Sequence, residues 1–289
     1  GLNIPRRKPY RFDSGSGHQP LKHVIVLNLL CDHGHRFEGW FAGDDDFLDQ
    51  ILSLEAGHRA VILGEPGAGK TTLLINVWEY LIENATEEII VIWIPLAELG
   101  AQTLAKHIEN VLPIEILKKP EIEDAEKKIY WQSFMELYEA GRVWLLLDGA
   151  DEIGGDGLEK IQSELRNWPK SRSAITCRLN LWDVRSTNSL ATNKLFKIYR
   201  TLDFRYDANG DEVKSFIEKW FTKEPADAER LQQALKETGK ERIRDLVRNP
   251  LRLTLLCSVW EEGKVRTLPD TQAELYARFV IYTYNWKAD

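Results

Sequence analysis

The sequence predicts an α/β domain built on a parallel five-stranded sheet flanked by helices, followed by a small all-helical domain. Three observations carry this. Apolar runs of strand length alternate with amphipathic helical stretches from about residue 59 to residue 202, the pattern of a parallel sheet with crossover helices. Beyond about residue 210 the strand-like runs stop and the periodic segments have helical spacing. Hydrophobic residues make up 43% and charged residues 29% of the 289, an ordinary balance for a globular chain able to bury a substantial core.

The elements follow in order. The first forty residues are irregular: a basic arm holds Arg6, Arg7, Lys8 and Arg11, "DSGSGHQP" reads as a linker, and "HVIVLNLL" as a short strand. "RAVILG" is a buried strand, and "KTTLLINVWEYLIEN" a helix with Leu73, Leu74, Val77 and Leu81 on one face. "EIIVIWIPL" is the second strand, closed by Pro95, and the helical "EDAEKKIYWQSFMELYEAG" leads to the third, "RVWLLLD". "GLEKIQSELRNWP" is the next helix, "SAITCR" the fourth strand and "LFKIYRTL" the fifth. "DEVKSFIEKWF", "DAERLQQALKE", "ERIRDLVR", "PLRLTLLCSVWEE" and "TQAELYARFVIYTYNW" are the helices of the second domain. No internal repeat or low-complexity segment interrupts them.

The net charge of −7 argues against a generalised nucleic-acid binder. Cys31, Cys177 and Cys257 are odd in number and widely spaced, which does not suggest a disulfide framework. No apolar run approaches the roughly 18 residues of a membrane span and no signal peptide is visible, so the sequence reads as a soluble cytoplasmic protein. Cys31, His33 and His35 lie close together, but zinc sites normally need a second ligand pair, and none follows. A chain that begins at Gly1 rather than Met reads as a piece of something longer.

"GEPGAGKT", residues 64–71, satisfies the phosphate-binding pattern G-x-x-x-x-G-K-[ST] in full. It lies between an apolar strand and an amphipathic helix, the context that pattern requires. Chance would produce the match in about 1% of chains of this length. Glycines let backbone N–H groups converge on phosphate oxygens, and the following helix N-terminus adds favourable partial charge. The candidate nucleotide contacts are Gly64, Glu65, Pro66, Gly67, Ala68, Gly69, Lys70, Thr71 and Thr72. Lys70 neutralises the β- and γ-phosphates, and the Thr71 hydroxyl ligates Mg²⁺. The bland alternative is a glycine-rich turn with a solvated lysine.

A second cluster stands at the end of the third strand, where "VWLLLDGADEI" runs an apolar segment into Asp148, Asp151 and Glu152. Acids this close repel one another, and a solvated turn is the bland account. A magnesium nucleotide offers another: Asp148, where the apolar run ends, holds Mg²⁺ through water. Asp151 and Glu152 face the γ-phosphate and polarise an attacking water.

Together "GEPGAGKTTLL" and "LLLDGADEI" resemble the NACHT family of STAND NTPases, whose Mg²⁺-binding strand is followed by a small residue and a paired Asp–Glu; Gly149, Asp151 and Glu152 match. "SAITCRLNLW" resembles the family's next strand, whose terminal arginine senses the γ-phosphate. Arg178 holds that place, with a surface salt bridge as the alternative. "RNPLRLTLLC" resembles the family motif whose proline packs against adenine. Pro250 matches, and a proline opening a helix after an Asn cap is also sound by itself. The resemblance spans about 41–286 and departs from the family at two points. The segment before the phosphate loop keeps Phe41 and Gly43 but has Asp44 in place of an arginine. The family's winged-helix domain, with its phosphate-touching histidine, is expected past residue 289, and no histidine follows His107.

The resemblance implies an ASCE/AAA+-like P-loop sheet in the order 5-1-4-3-2. It also implies an extension at 1–40, a nucleotide-binding α/β domain at 41–207 and a helical domain at 208–289. It implies a switch that binds and slowly hydrolyses ATP and exchanges ADP for ATP, using Mg²⁺. The activated full-length protein is expected to form a homo-oligomer in response to an unidentified trigger, with antiphage defence or innate immunity as the setting. Two other classes stay open: a small-molecule P-loop kinase and a nucleic-acid-remodelling ATPase. A loop strand directly beside the Asp148 strand would favour the kinase.

Overall fold

The computed structural model describes residues 44–117, 123–153, 157–184, 195–207, 210–262 and 267–286. The basic arm, the Cys31–His33–His35 group, Phe41 and Gly43 lie outside them. In chain order the elements are α1 (Asp44–Leu52), β1 (Arg59–Gly64), α2 (Lys70–Asn84), β2 (Ile90–Pro95), α3 (Leu96–Leu99), α4 (Leu104–Leu117), α5 (Asp124–Glu139) and β3 (Val143–Asp148). There follow α6 (Gly157–Arg166), β4 (Arg172–Arg178), α7 (Leu179–Val184), β5 (Phe196–Arg200), β6 (Tyr206–Asp207) and β7 (Gly210–Asp211). The chain continues with α8 (Glu212–Trp220), α9 (Pro225–Lys236), α10 (Glu241–Leu246), α11 (Pro250–Glu262) and α12 (Gln272–Trp286).

It separates into two compact units, one of the residues to Gly64 with Lys70–Arg200, the other of Glu65–Gly69 with Thr201–Asp289. The first holds the five-stranded sheet in the order β2-β3-β4-β1-β5, every pairing parallel. Read from the other edge this is 5-1-4-3-2, as the resemblance implied. β4 therefore separates the loop strand β1 from the Asp148 strand β3, which removes the kinase arrangement.

Side chains of a strand alternate between faces, and here both faces are covered, so the strands read as unbroken apolar runs. Val61, Leu63, Ile92, Ile94, Leu145, Leu147, Ile175 and Cys177 point to one core, with Leu104 and Ile108 of α4, Phe134 and Tyr138 of α5, and Ile161 and Leu165 of α6. Ala60, Ile62, Val91, Trp93, Trp144, Leu146 and Ala174 point to the other, with Leu48 and Ile51 of α1 and Leu73, Leu74, Val77 and Leu81 of α2. Register brings the carboxyl ends of β1 and β4 together, Gly64 beside Arg178, while β3 ends lower, with Leu147, one before Asp148, beside Ile175.

In the helical unit, Asp211 caps α8 by accepting the Lys214 N–H at 2.8 Å. Pro225 opens α9, a first-turn position where its missing N–H costs nothing. The core includes Val213, Phe216, Ile217, Leu231, Leu235, Ile243, Val247, Leu253, Leu256, Cys257, Trp260 and Leu275. The Phe204 and Phe216 rings lie 5.8 Å apart within it.

Candidate nucleotide site

β1 ends on Gly64 and α2 begins at Lys70, so the glycine-rich segment is the turn between a fully buried strand and a helix. Gly67 and Gly69 sit at φ of +76° and +79°, in the left-handed region that glycine tolerates at no steric cost. The Ala68 N–H closes the turn onto the Glu65 carbonyl at 3.1 Å. Lys70 folds back toward the start of the loop, its Nζ donating to the Gly64 carbonyl at 3.0 Å. Burial lowers the Lys70 ammonium below its ordinary pKa; Arg178 acts in the same direction, while Asp151, Cys177 and Asp148 oppose it. Anionic phosphate oxygens would reverse that shift. Thr72 follows within α2, half-buried.

Thr71, on the first turn of α2, donates through Oγ1 to the Asp148 carboxylate, 3.0 Å from Oδ2. Asp148 is the last residue of β3 and half-buried, where the preceding five positions are fully buried. A hydroxyl and a carboxylate at the mouth of a parallel sheet are hard oxygen ligands suited to Mg²⁺. Among the described residues no three His, Cys, Asp or Glu side chains group as a metal cage. A cation here would depend on this pair together with ligand phosphates, the usual way Mg²⁺ is held.

The paired acids after β3 take different positions. Asp151 is nearly buried, its side chain 4% exposed, and pairs with Arg178 Nε at 2.8 Å. Its other oxygen accepts the Arg178 backbone N–H at 2.9 Å. Glu152 is exposed, and its carboxylate lies over Gly149. A Cβ built on Gly149, whose φ is +77°, would stand 2.9 Å from the Glu152 carboxyl carbon. The exposed Glu152 side chain can swing aside, so the reason for the small residue of the pattern is its backbone, a positive φ that other side chains rarely adopt. Arg178 closes β4, its guanidinium about half exposed, so the salt-bridge alternative weighed above is present, made to one of the site's own acids.

One site residue went unread in the sequence. Thr176, 1% exposed on β4, donates to Asp148 Oδ1 at 2.6 Å. Its own Oγ1 in turn accepts the Gly149 N–H at 2.7 Å. Its signal was a hydroxyl inside "SAITCR", where burial needs a polar partner. Pro250, the remaining candidate, is the first residue of α11 in the helical unit and half-buried.

No protein of established function matches the sequence. Among solved structures, the chain is similar to a Signal Transduction ATPase with Numerous Domains (STAND) protein with a tetratricopeptide repeat sensor from Pyrococcus horikoshii, at 15% identity and a TM-score of 0.42, over 84% of this chain and 32% of that one. It therefore spans about a third of that protein's length. It is also similar to the ORC2 protein of Aeropyrum pernix, at 12% identity and a TM-score of 0.49, over 83% of this chain and 68% of that one. Drosophila ORC bound to DNA is similar at 11% identity and a TM-score of 0.43, over 84% of this chain and 61% of that one. Residues 58–224 match the NACHT domain family, more than half of the 289 residues and inclusive of the phosphate loop, Asp148, the paired acids and Arg178. The chain belongs to the NACHT family of P-loop NTPases.

Proposed function

We propose that this NTPase is the ATP-binding and ATP-hydrolysing switch of an NLR-like signalling protein, in which exchange of ADP for ATP controls oligomerisation. Antiphage or innate immune defence is the setting its family suggests. The observation that supports it best is the convergence of three strand ends: the phosphate loop after β1, Asp148 with Thr71 at β3, and Arg178 at β4 between them. The switch comprises a nucleotide-binding domain at 41–207 and a helical domain at 208–289.

The residues divide the work by position. The Gly64–Gly69 backbone cradles the phosphates, and Lys70 neutralises them. Thr71, and Asp148 through water, would hold Mg²⁺, which would supply compensating charge for the phosphate oxygens. Glu152, exposed and free of the Arg178 pair, orients the attacking water and takes its proton as the bond from the γ-phosphorus to the ADP oxygen breaks. Asp151 holds Arg178 by side chain and backbone, ready to pair with a γ-phosphate. A γ-phosphate competes with Asp151 for that guanidinium, which links the third phosphate to a rearrangement at the end of β4. Pro250 packs against adenine.

The test is direct. The purified protein is denatured and its released nucleotide identified by chromatography, and ADP and ATP titrations are run beside Lys70→Ala. Bound adenine nucleotide in the wild type and none in Lys70→Ala is the expected result. Equal binding by both proteins would remove the phosphate-loop reading.

A further inference from the structure

Asn249 precedes α11 and is buried at 5% exposure. Its Oδ1 accepts the Arg252 N–H at 3.4 Å, the bond of an ordinary helix cap. A cap leaves the amide nitrogen free to point at water, yet here Nδ2 donates to the Pro66 carbonyl, 183 residues away in sequence, at 3.3 Å. Beside it the Leu251 N–H donates to the Gly67 carbonyl at 3.1 Å.

The accounting at the start of α11 is complete. Pro250 has no N–H, Leu251 donates to Gly67, Arg252 to the Asn249 side chain, and Leu253 to the Asn249 carbonyl at 3.0 Å. The first turn has no donor left for a ligand, and two of the bonds just named grip consecutive carbonyls of the loop. Gly67 carries the imprint of this grip. A Cβ there would lie 2.8 Å from Leu251 Cβ and 3.0 Å from Asn249 Oδ1. The phosphate-loop pattern accepts any residue at that position, so the contact with α11 supplies a separate reason for glycine.

In a planar trans peptide the carbonyl and the N–H point in opposite directions. The Pro66 carbonyl shares its peptide with the Gly67 N–H. Drawing that carbonyl toward Asn249 therefore turns the Gly67 N–H away from the start of α11. We propose that Asn249 is a positioning residue for the phosphate loop: its carboxamide fixes the loop's tip so that the Gly67 amide faces the nucleotide phosphates. The start of α11 thereby becomes sensitive to whether nucleotide is bound. This rests on residues 64–71 being the phosphate loop. Linkage makes the coupling reciprocal: what steadies the tip favours nucleotide, and nucleotide steadies the start of α11.

Asn249→Ser and Asn249→Asp separate this role from capping. Both side chains cap helices well, but Asp has no donor, and Ser is too short to cap and reach Pro66 at once. ADP affinity is measured by titration of a fluorescent analogue, and the melting temperature without nucleotide serves as the structural control. Loss of one neutral hydrogen bond weakens binding about three- to tenfold, and both variants are expected to show it with a melting temperature close to wild type. A Ser variant that binds like wild type overturns the proposal, as does weakening in the Asp variant alone, which would report charge repulsion. Should both variants unfold, hydrogen exchange of the wild-type Leu251 amide decides. Saturating ADP must slow it, and unchanged exchange overturns the proposal. Lys70→Ala in the same titration keeps the two failures apart: if it binds like wild type, the phosphate-loop reading falls instead.

Discussion

Replacing Thr176 by Val exchanges one hydroxyl for a methyl of nearly equal size, so the effect belongs to two hydrogen bonds. One is charge-assisted, from Oγ1 to Asp148 at 2.6 Å, a class worth about 1.5–3 kcal/mol. The other satisfies the Gly149 N–H at 2.7 Å, and leaving such a donor unpaired costs about 1–3 kcal/mol. Asp148 and Gly149 are only half-buried, so water recovers part of each loss. The net destabilisation is about 2 kcal/mol by that reckoning, or about 4–8 °C in melting temperature for a domain of this size. Hydrolysis should suffer separately, because groups that orient a metal ligand are typically worth about 10–100-fold in metal affinity or activity. The assay is thermal unfolding without nucleotide, then ATP hydrolysis against Mg²⁺ concentration, with Thr176→Ser as the variant that keeps the hydroxyl. A Val variant that melts with the wild type and shows an unchanged Mg²⁺ dependence would refute the reasoning.

Three further outcomes are expected. Glu152→Gln should bind ATP normally and hydrolyse it about 10²–10⁴-fold more slowly; full turnover would move the water-orienting role to Asp151. Arg178→Ala should lose affinity for ATP more than for ADP, and an unchanged ratio in paired titrations would leave Arg178 with only its Asp151 pair. Burial lowers the pKa of Lys70 below 10.5, so the folded, empty protein sheds that proton before the unfolded chain does. Lys70 therefore penalises folding at neutral pH, and the penalty fades as pH rises through the lowered value to 10.5. Nucleotide affinity should move the other way, weakening over that range as the cation is lost. Constant affinity up to pH 10.5 would contradict this.

Much of this protein was determined locally, by contiguous residues. The strand and helix alternation was legible because burial on both faces of a parallel sheet writes unbroken apolar runs; β1 coincides with "RAVILG" and α2 with "KTTLLINVWEYLIEN". The phosphate loop was legible because its backbone demands glycines at set offsets from Lys70. The helices α1, α3, α4 and α7 and the β6–β7 pairing were not. Three are only four to nine residues long, and α4 runs through Pro113, a residue that argues against a helix interior. The strand order came from the resemblance, because periodicity carries no information about which strands pair.

Only the tertiary structure decided what each acid does. Asp151 and Glu152 are neighbours with the same chemistry, yet Asp151 turns inward to Arg178, 27 residues on, while Glu152 stays exposed over Gly149. Thr176 reaches Asp148 across 28 residues, and Asn249 reaches Pro66 across 183. A local pattern records which side chains are polar. It does not record which distant partner a half-buried polar atom will meet, and that partner is set by the register of β4 against β1 and β3 and by where α11 begins.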